Sequence, residues 1–145
     1  MIRRILLLLP LSVVALWSGP ILGSGAQDRG SPTTVVGMVV DAACYLMHPQ
    51  AADDPAHDEC GKACALAGVP FGVADQAGKR LYLADAAGTK LLFPYLHKRV
   101  RVSGHAVKKS EPLTLEMPVG DGNKMSVRVD GGYLALTVDQ VEAQK

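Results

Sequence analysis

The chain has 145 residues, with 15 lysines and arginines, 14 aspartates and glutamates and a formal net charge of +1 at pH 7. A chain so close to neutral does not hold nucleic acid through bulk attraction to phosphates. Aromatic residues make up only 5% of it, too few for a face on which bases stack. These two features exclude a nucleic-acid partner. The length of the chain is enough for one domain with a modest core.

The N-terminus has the composition of a signal peptide over residues 1–26. Arg3 and Arg4 precede an apolar run over residues 5–17, and small residues end at Ala26, where we expect cleavage. The run is short for a membrane span and prolines interrupt it, so an uncleaved anchor is only the alternative. We therefore predict an exported, periplasmic or extracellular protein with no stable membrane anchor after cleavage.

The next segments predict a strand and a helix. Residues 27–33 are polar and are predicted to be a flexible leader. β-branched residues around Gly37 predict a first strand that ends at Asp41, with the glycine at a bulge or barrel bend. Asp54 before Pro55 is a helix start and Gly68 is a helix stop, which together predict a helix over residues 55–67.

Beyond Pro70 the apolar residues alternate, which predicts strands. A short or broken helix is predicted over residues 89–96 because Pro94 limits it, with a turn at 86–88 before it. Residues 139–145 are polar and are predicted to fray. The predicted strands cover residues 71–74, 80–85, 100–105, 113–117, 125–129 and 134–138.

A helix between the third and fourth strands of a five-stranded Greek-key barrel is the arrangement of the OB fold. We therefore predict a mainly β protein with an OB-fold-like five-stranded barrel over residues 34–141. An α-helix is inserted after strand one, within residues 44–68, and a short helix precedes strand four. In such a barrel the end of strand one lies near the start of strand four, which could bring His97 toward Cys44.

The residues that could form a metal site or a disulfide lie in the insertion. Its spacing is C-x12-H-x2-C-x3-C, formed by every cysteine of the chain and one histidine: Cys44, His57, Cys60 and Cys64. On the predicted helix the last three fall at i, i+3 and i+7, within a sector of roughly 60°. These three side chains are therefore expected to face one way, with Cys44 supplied by the end of the first strand.

Three stretches of sequence carry a resemblance to a known group. They are the opening VVGMVVD over residues 35–41, the strand KRVRVSG over 98–104, and the insertion with its cysteines and Gly68-Val69-Pro70. Together they resemble small exported bacterial OB-fold-like proteins that carry a cysteine-rich insertion after the first strand. The resemblance spans about residues 34–141 and implies an OB-like fold with a site in the insertion, but no particular reaction.

The most concrete functional hypothesis is a metal site built by Cys44, His57, Cys60 and Cys64. Three sulfurs and an imidazole complete a tetrahedral set of soft ligands, which favours Zn²⁺ or Cu(I). His48 and Met47 could be auxiliary copper ligands or plain loop residues. No serine triad, P-loop or pair of catalytic carboxylates occurs. We therefore assign no catalytic residue and expect a non-enzymatic binding or accessory domain, with a metal ion or an exported protein as its partner.

Other interpretations of the same cysteines stay open. Export favours a disulfide between Cys44 and either Cys60 or Cys64, which would tie the helix to the barrel and stabilise it by roughly 3 kcal/mol. Such a stapled domain would bind a protein or an oligosaccharide partner. The Cys60-x3-Cys64 pair also has the spacing of copper-relay proteins, so a copper-relay or thiol redox protein is a further alternative.

Overall fold

The computed structural model describes residues 30–51, 54–75, 77 and 79–145. The predicted signal peptide and residues 27–29 of the predicted leader lie outside these residues. In the described part, the first strand begins at Ser31, two or three residues earlier than expected, because its backbone pairs with a later strand from Ser31 onward. The end of the predicted leader is therefore part of a strand.

The described residues form seven strands and three α-helices, with short 3-10 turns at 49–51, 55–57 and 93–95. No helix in the described ranges is long and apolar enough to cross a membrane. The strands are β1 (Ser31–Asp41), β2 (Phe71–Asp75), β3 (Arg80–Ala84), β4 (Arg99–Lys109), β5 (Leu113–Pro118), β6 (Lys124–Val129) and β7 (Tyr133–Ala143). The helices are α1 (Ala42–Met47), α2 (Asp58–Leu66) and α3 (Ala86–Leu92).

Five strands close into a barrel in the order β1-β2-β3-β7-β4, and β4 pairs with β1. The pairing of β3 with β7 is parallel, and the other barrel pairs are antiparallel. Helix α3 lies between the third and fourth barrel strands in sequence. The predicted fold class, a mainly β protein with an OB-like five-stranded barrel, is confirmed.

The interior of the barrel is filled by aliphatic and aromatic side chains with almost no contact with solvent. Phe71 stacks on Phe93, with ring centroids 5.9 Å apart, and Leu92 of α3 is fully buried in the same core. Asp85 caps α3 by accepting the N–H of Gly88 at 2.7 Å. This cap explains why residues 86–88, predicted to be a turn, form the first turn of the helix instead.

Gly37 lies where β1 changes from one neighbouring strand to the other. The strand pairs with β4 up to Met38 and with β2 from Met38 onward. A Cβ at position 37 would lie 2.2 Å from the carbonyl oxygen of Ala74, so only glycine lets β1 pass this close to β2.

The C-terminal strand is longer than predicted. β7 continues to Ala143 and pairs with β4 along its length, and the N–H of Gln144 donates to the carbonyl of Arg99 at 2.9 Å. The prediction that residues 139–145 fray is wrong for most of this segment. Its side chains are polar, but backbone pairing with a long neighbouring strand needs no apolar side chain.

Strands β5 and β6 form a separate two-stranded sheet. This hairpin packs on α1 and on the outer side of β3, and it forms with them a second apolar cluster. The cluster is smaller than the barrel core, and its buried members are Ala42, Ala43, Cys64, Val69, Leu83, Leu115 and Met117. The insertion therefore lies between the barrel and the hairpin.

Candidate metal centre

Cys44 lies in α1, directly after the first strand. Asp41 caps this helix, because its Oδ1 accepts the backbone N–H of Cys44 at 2.9 Å. Ala42 and Ala43 are fully buried and hold the helix against the second apolar cluster. The sequence predicts Cys44 at the end of a strand; the cap places it in the first turn of a short helix instead.

The predicted helix over residues 55–67 is confirmed with one change. Asp54 accepts the N–H of Ala56 at 2.9 Å, but the turn that it caps, Pro55–His57, is a 3-10 turn and α2 begins at Asp58. At the other end Gly68 has a φ of +93°, and the N–H of Val69 donates to the carbonyl of Cys64 at 3.0 Å. Both ends of the cysteine helix are thus fixed by local hydrogen bonds.

Gly61 sets how closely α2 approaches the barrel. A Cβ at this position would lie 2.9 Å from Cδ2 of Leu96 and 3.6 Å from Cβ of Asp41. Leu96 is itself packed into the barrel core with 5% of its surface exposed. The absence of a side chain at Gly61 therefore lets the helix backbone lie against the end of β1, where Cys44 follows.

The structure brings the three cysteine sulfurs of the chain together. The Sγ atoms of Cys44, Cys60 and Cys64 all lie within 4.8 Å of one another, and all three are free thiols. We call them the cysteine cluster. In a tetrahedral site with Zn–S bonds of about 2.3 Å, two sulfurs lie about 3.8 Å apart. The three sulfurs would therefore need to move together by no more than about 1 Å to hold one ion.

The three thiols differ in their exposure. Cys64 is buried with 1% of its surface exposed, Cys44 is half-buried, and Cys60 is exposed. The cluster is therefore anchored on its inner side and open to solvent on its outer side.

His57, the predicted fourth ligand, is not a member of the group of mutually close ligand atoms. It lies in the 3-10 turn, which has about three residues per turn, so its offset from Cys60 differs from that of a continuous α-helix. Its Nδ1 lies 3.4 Å from Oδ2 of Asp54. The role of His57 as a ligand stays a prediction.

A small cavity of about 10 Å³, roughly the space of one water molecule, lies beside Cys44. It is lined by His57 and also by His97, whose backbone N–H donates to the carbonyl of Val39 at 2.9 Å. The expected approach of His97 to Cys44 is confirmed. His48, considered above only as an auxiliary ligand, lines the same cavity. Three histidines therefore line the cavity that Cys44 also lines.

Asp41 is the residue of this site that the sequence analysis missed, because it was interpreted only as the end of a strand. The side chain is 3% exposed, and its Oδ2 is buried with no hydrogen-bond partner among the described residues. A buried carboxylate oxygen without a donor is costly unless a cation lies near it. The sequence signal is an aspartate three residues before a cysteine, the spacing of an N-cap.

Burial and the charge of Asp41 keep the inner thiols protonated. Burial first, and then Asp41 and Cys60, raise the pKa of Cys44 from 9.0 to about 12. The same two leading causes, burial and Asp41, raise the pKa of Cys64 as well. Both thiols are therefore protonated at neutral pH unless a bound cation displaces their protons.

The chain matches no protein-family model, no curated protein and no solved structure. The resemblance to small exported bacterial OB-fold-like proteins therefore stays a prediction. The geometry supports a coarser statement: three cysteines, one of them directly after the first barrel strand, lie close together and could hold one metal ion.

Proposed function

We propose that the protein is an exported metal-binding accessory domain that holds one soft transition-metal ion through the thiolates of Cys44, Cys60 and Cys64. The observation that carries this proposal is the mutual approach of the three sulfurs within 4.8 Å. They come from two separate helices, α1 and α2, and so the cluster depends on the tertiary fold. Thiolates select Zn²⁺ or Cu(I) among the common metal ions.

The buried carboxylate of Asp41 supports zinc over copper. Three thiolates and one carboxylate would place four negative charges in a partly buried site. A divalent ion offsets more of this charge than Cu(I) does, and buried charge without compensation is strongly unfavourable. Asp41 and His57 are the two candidates for the fourth ligand, since Oδ2 of Asp41 has no other partner in the described structure and His57 lines the adjoining cavity.

The exposure of Cys60 leaves the outer side of the cluster accessible to other molecules. The three cysteines supply three of the four ligands that a tetrahedral zinc site needs. A thiol or imidazole of an exported protein partner could reach the ion from that side. We propose that this partner delivers or accepts the metal through Cys60.

The raised pKa values argue against a thiol redox enzyme as the alternative. Redox cysteines have a lowered pKa because the thiolate is the nucleophile, but burial raises the pKa of Cys44 to about 12. A disulfide staple between two of the three cysteines remains the competing candidate, because the same proximity that favours metal binding also favours oxidation.

Metal analysis and a free-thiol count on the purified protein test the proposal. We expect about one zinc or copper ion per chain and three alkylatable thiols after the metal is chelated. In a competition titration with a chromophoric chelator, serine at any one of the three cysteine positions should weaken binding more than about 100-fold, beyond the effect of losing an outer-shell partner. Acidification should release the metal, because protons compete for the thiolates.

A matched pair of variants tests the role of His57. His57→Ala should weaken metal binding and leave the barrel folded, and His105→Ala is its control. His105 also lies beside a carboxylate, 3.1 Å from Asp139, but on β4 outside the cluster. Equal affinities in the two variants would remove His57 from the site. Protein free of metal, with one disulfide and a single alkylatable thiol, would replace the metal proposal with the staple.

A further inference from the structure

A second cavity, with a volume of about 540 Å³, lies between β3 and the start of β7. It shares no lining residue with the cysteine cluster or with the small cavity beside Cys44. Its volume falls within the range of about 300–1,000 Å³ typical of small-molecule pockets. We call it the β3–β7 pocket.

The walls of the β3–β7 pocket are mostly apolar. The pocket is lined by Leu81 and Leu83 of β3, Leu134 of β7, Leu46 of α1 and Val129 of β6. It therefore lies where the barrel, the insertion and the hairpin meet, and it is open to solvent on one side. An apolar chain that enters it would exchange water for contact with aliphatic side chains.

Two basic residues, Arg80 and Lys108, line this mostly apolar pocket, and no acidic residue lines it. Neither cation forms an ion pair with any residue that the structure describes. Asp75 is the backbone partner of Arg80 across the β2–β3 pair, but its Oδ1 accepts the N–H of Ala77 at 3.0 Å. The pocket therefore offers positive charge beside a large apolar surface.

We propose that the β3–β7 pocket binds a small amphipathic anion, namely a monocarboxylate with an unbranched apolar chain. The carboxylate would lie between Arg80 and Lys108, and the chain would lie along the leucine walls. Charge-assisted hydrogen bonds to a guanidinium set the orientation, and burial of the chain supplies most of the affinity. This site is independent of the metal proposal, since it uses none of the same residues.

The barrel side of the pocket offers an extended peptide no edge to pair with. A peptide that adds to a sheet needs a strand with an unpaired edge. Both β3 and β7 have a neighbour on each side in the closed barrel, whereas β6 has a free edge in its two-stranded sheet. On the barrel side a ligand must therefore be held by side chains, which suits a single small molecule with one charged end.

Isothermal titration with decanoate tests this inference on the full chain. We expect saturable binding with one site, no binding of acetate, and binding of decyltrimethylammonium at least about tenfold weaker than that of decanoate, because the cationic head group meets two cations. The affinity should rise from hexanoate to decanoate as more methylene groups are buried. All titrations remain below the concentration at which the ligand forms micelles.

Two variants locate the site. The double variant Arg80→Gln/Lys108→Gln should bind decanoate about tenfold more weakly or worse. Its control, Lys90→Gln/Arg101→Gln, removes the same charge at two exposed positions outside the pocket and should keep the wild-type affinity. Val129→Trp should fill the pocket and abolish binding. Circular dichroism and a thermal melt verify that each variant is folded.

Equal weakening in both double variants, or equal affinity for the decyl anion and cation, would overturn the inference. So would an absence of decanoate binding, including the case in which a peptide with an apolar C-terminal residue binds instead. Cys60 does not line the β3–β7 pocket, so serine at Cys60 should leave decanoate affinity unchanged when both proteins are titrated free of metal. Metal binding and decanoate binding can therefore fail separately.

Discussion

The barrel interior and the insertion are stabilised in different ways. Inside the barrel, large side chains such as Phe71 and Leu92 are fully buried, and every barrel strand has two neighbours. In the insertion, α2 buries only Gly61 and Cys64, and its largest apolar side chain, Leu66, is 83% exposed. The barrel is held by apolar burial and strand pairing, whereas the insertion has little apolar surface to bury.

This difference shows what the cysteine cluster contributes. Two short helices with so small a core gain little from packing, and isolated helices of this length are not stable in water. A metal ion or a disulfide that joins Cys44 of α1 to the cysteines of α2 would supply the missing connection. The barrel should fold without this connection, whereas the packing of α1 and α2 in the insertion should depend on it.

The largest expected loss of stability comes from removing a large side chain from the barrel core. Phe71→Ala removes a fully buried ring that stacks on Phe93 and should lower the free energy of unfolding by about 3–5 kcal/mol. Leu66→Ala, in the insertion, removes an exposed side chain and should change it by less than about 0.5 kcal/mol. Urea denaturation measures both values. Similar losses in the two variants would contradict the contrast between the regions.

Alkaline pH should lower the free energy of unfolding of the metal-free protein, because it deprotonates Cys44. The folded state raises the pKa of Cys44 from 9.0 to about 12, so it favours the protonated thiol. This contribution to stability is complete below about pH 9 and is lost as the pH rises toward 12. Denaturation curves of the wild type and of Cys44→Ser, which lacks the titrating thiol, separate this effect from that of other groups. Parallel losses in both proteins would contradict it.

Removing the charge of Asp41 tests whether this buried carboxylate contributes to metal binding in the insertion. Asp41→Asn keeps an N-cap for α1, since asparagine caps as well as aspartate, but removes the negative charge beside Cys64. We expect metal affinity to fall by about 10- to 100-fold. Asp85→Asn is the matched control, because Asp85 caps α3 with a 2.7 Å hydrogen bond and lies outside the cluster. If both variants keep wild-type affinity, Asp41 acts only as a cap.

Substitution of Gly61 should have a small effect on stability and a clear effect on metal binding. Gly61→Ala adds a Cβ that meets the buried side chain of Leu96 at 2.9 Å and pushes α2 outward. Alanine also favours a helix by about 1 kcal/mol over glycine, so the free energy of unfolding should fall by no more than about 1 kcal/mol. Metal affinity should fall about tenfold, measured by chelator competition. Lys62→Ala, at the next position, should leave metal affinity unchanged.

Features that depend on neighbouring residues were predicted well from the sequence. The helix that follows Asp54 and stops at Gly68 and the alternation of the barrel strands both arise from local conformational preferences. The closed barrel could also be inferred, because the order of strands and helices limits the possible topologies.

Features that depend on distant neighbours were predicted less well. The length of β7 depends on its pairing with β4, and its polar residues gave no sign of that pairing. The burial of Asp41 depends on α2, which packs over the end of β1 only after folding. The continuous helical face expected for His57 is broken by a 3-10 turn, because Asp54 and Pro55 favour a helical start without specifying which kind of turn forms.

The close contact at Gly61 also changes how the cysteine motif should be written. The first of the three residues between Cys60 and Cys64 is constrained by Leu96 and Asp41, and the cap on Cys44 requires an acceptor three residues before it. The pattern that specifies this site is therefore D-x2-C followed by C-G-x2-C. A chain that carries C-x3-C without a capping residue and a glycine at these positions would lack two of the contacts that bring Cys44 close to the cysteines of α2.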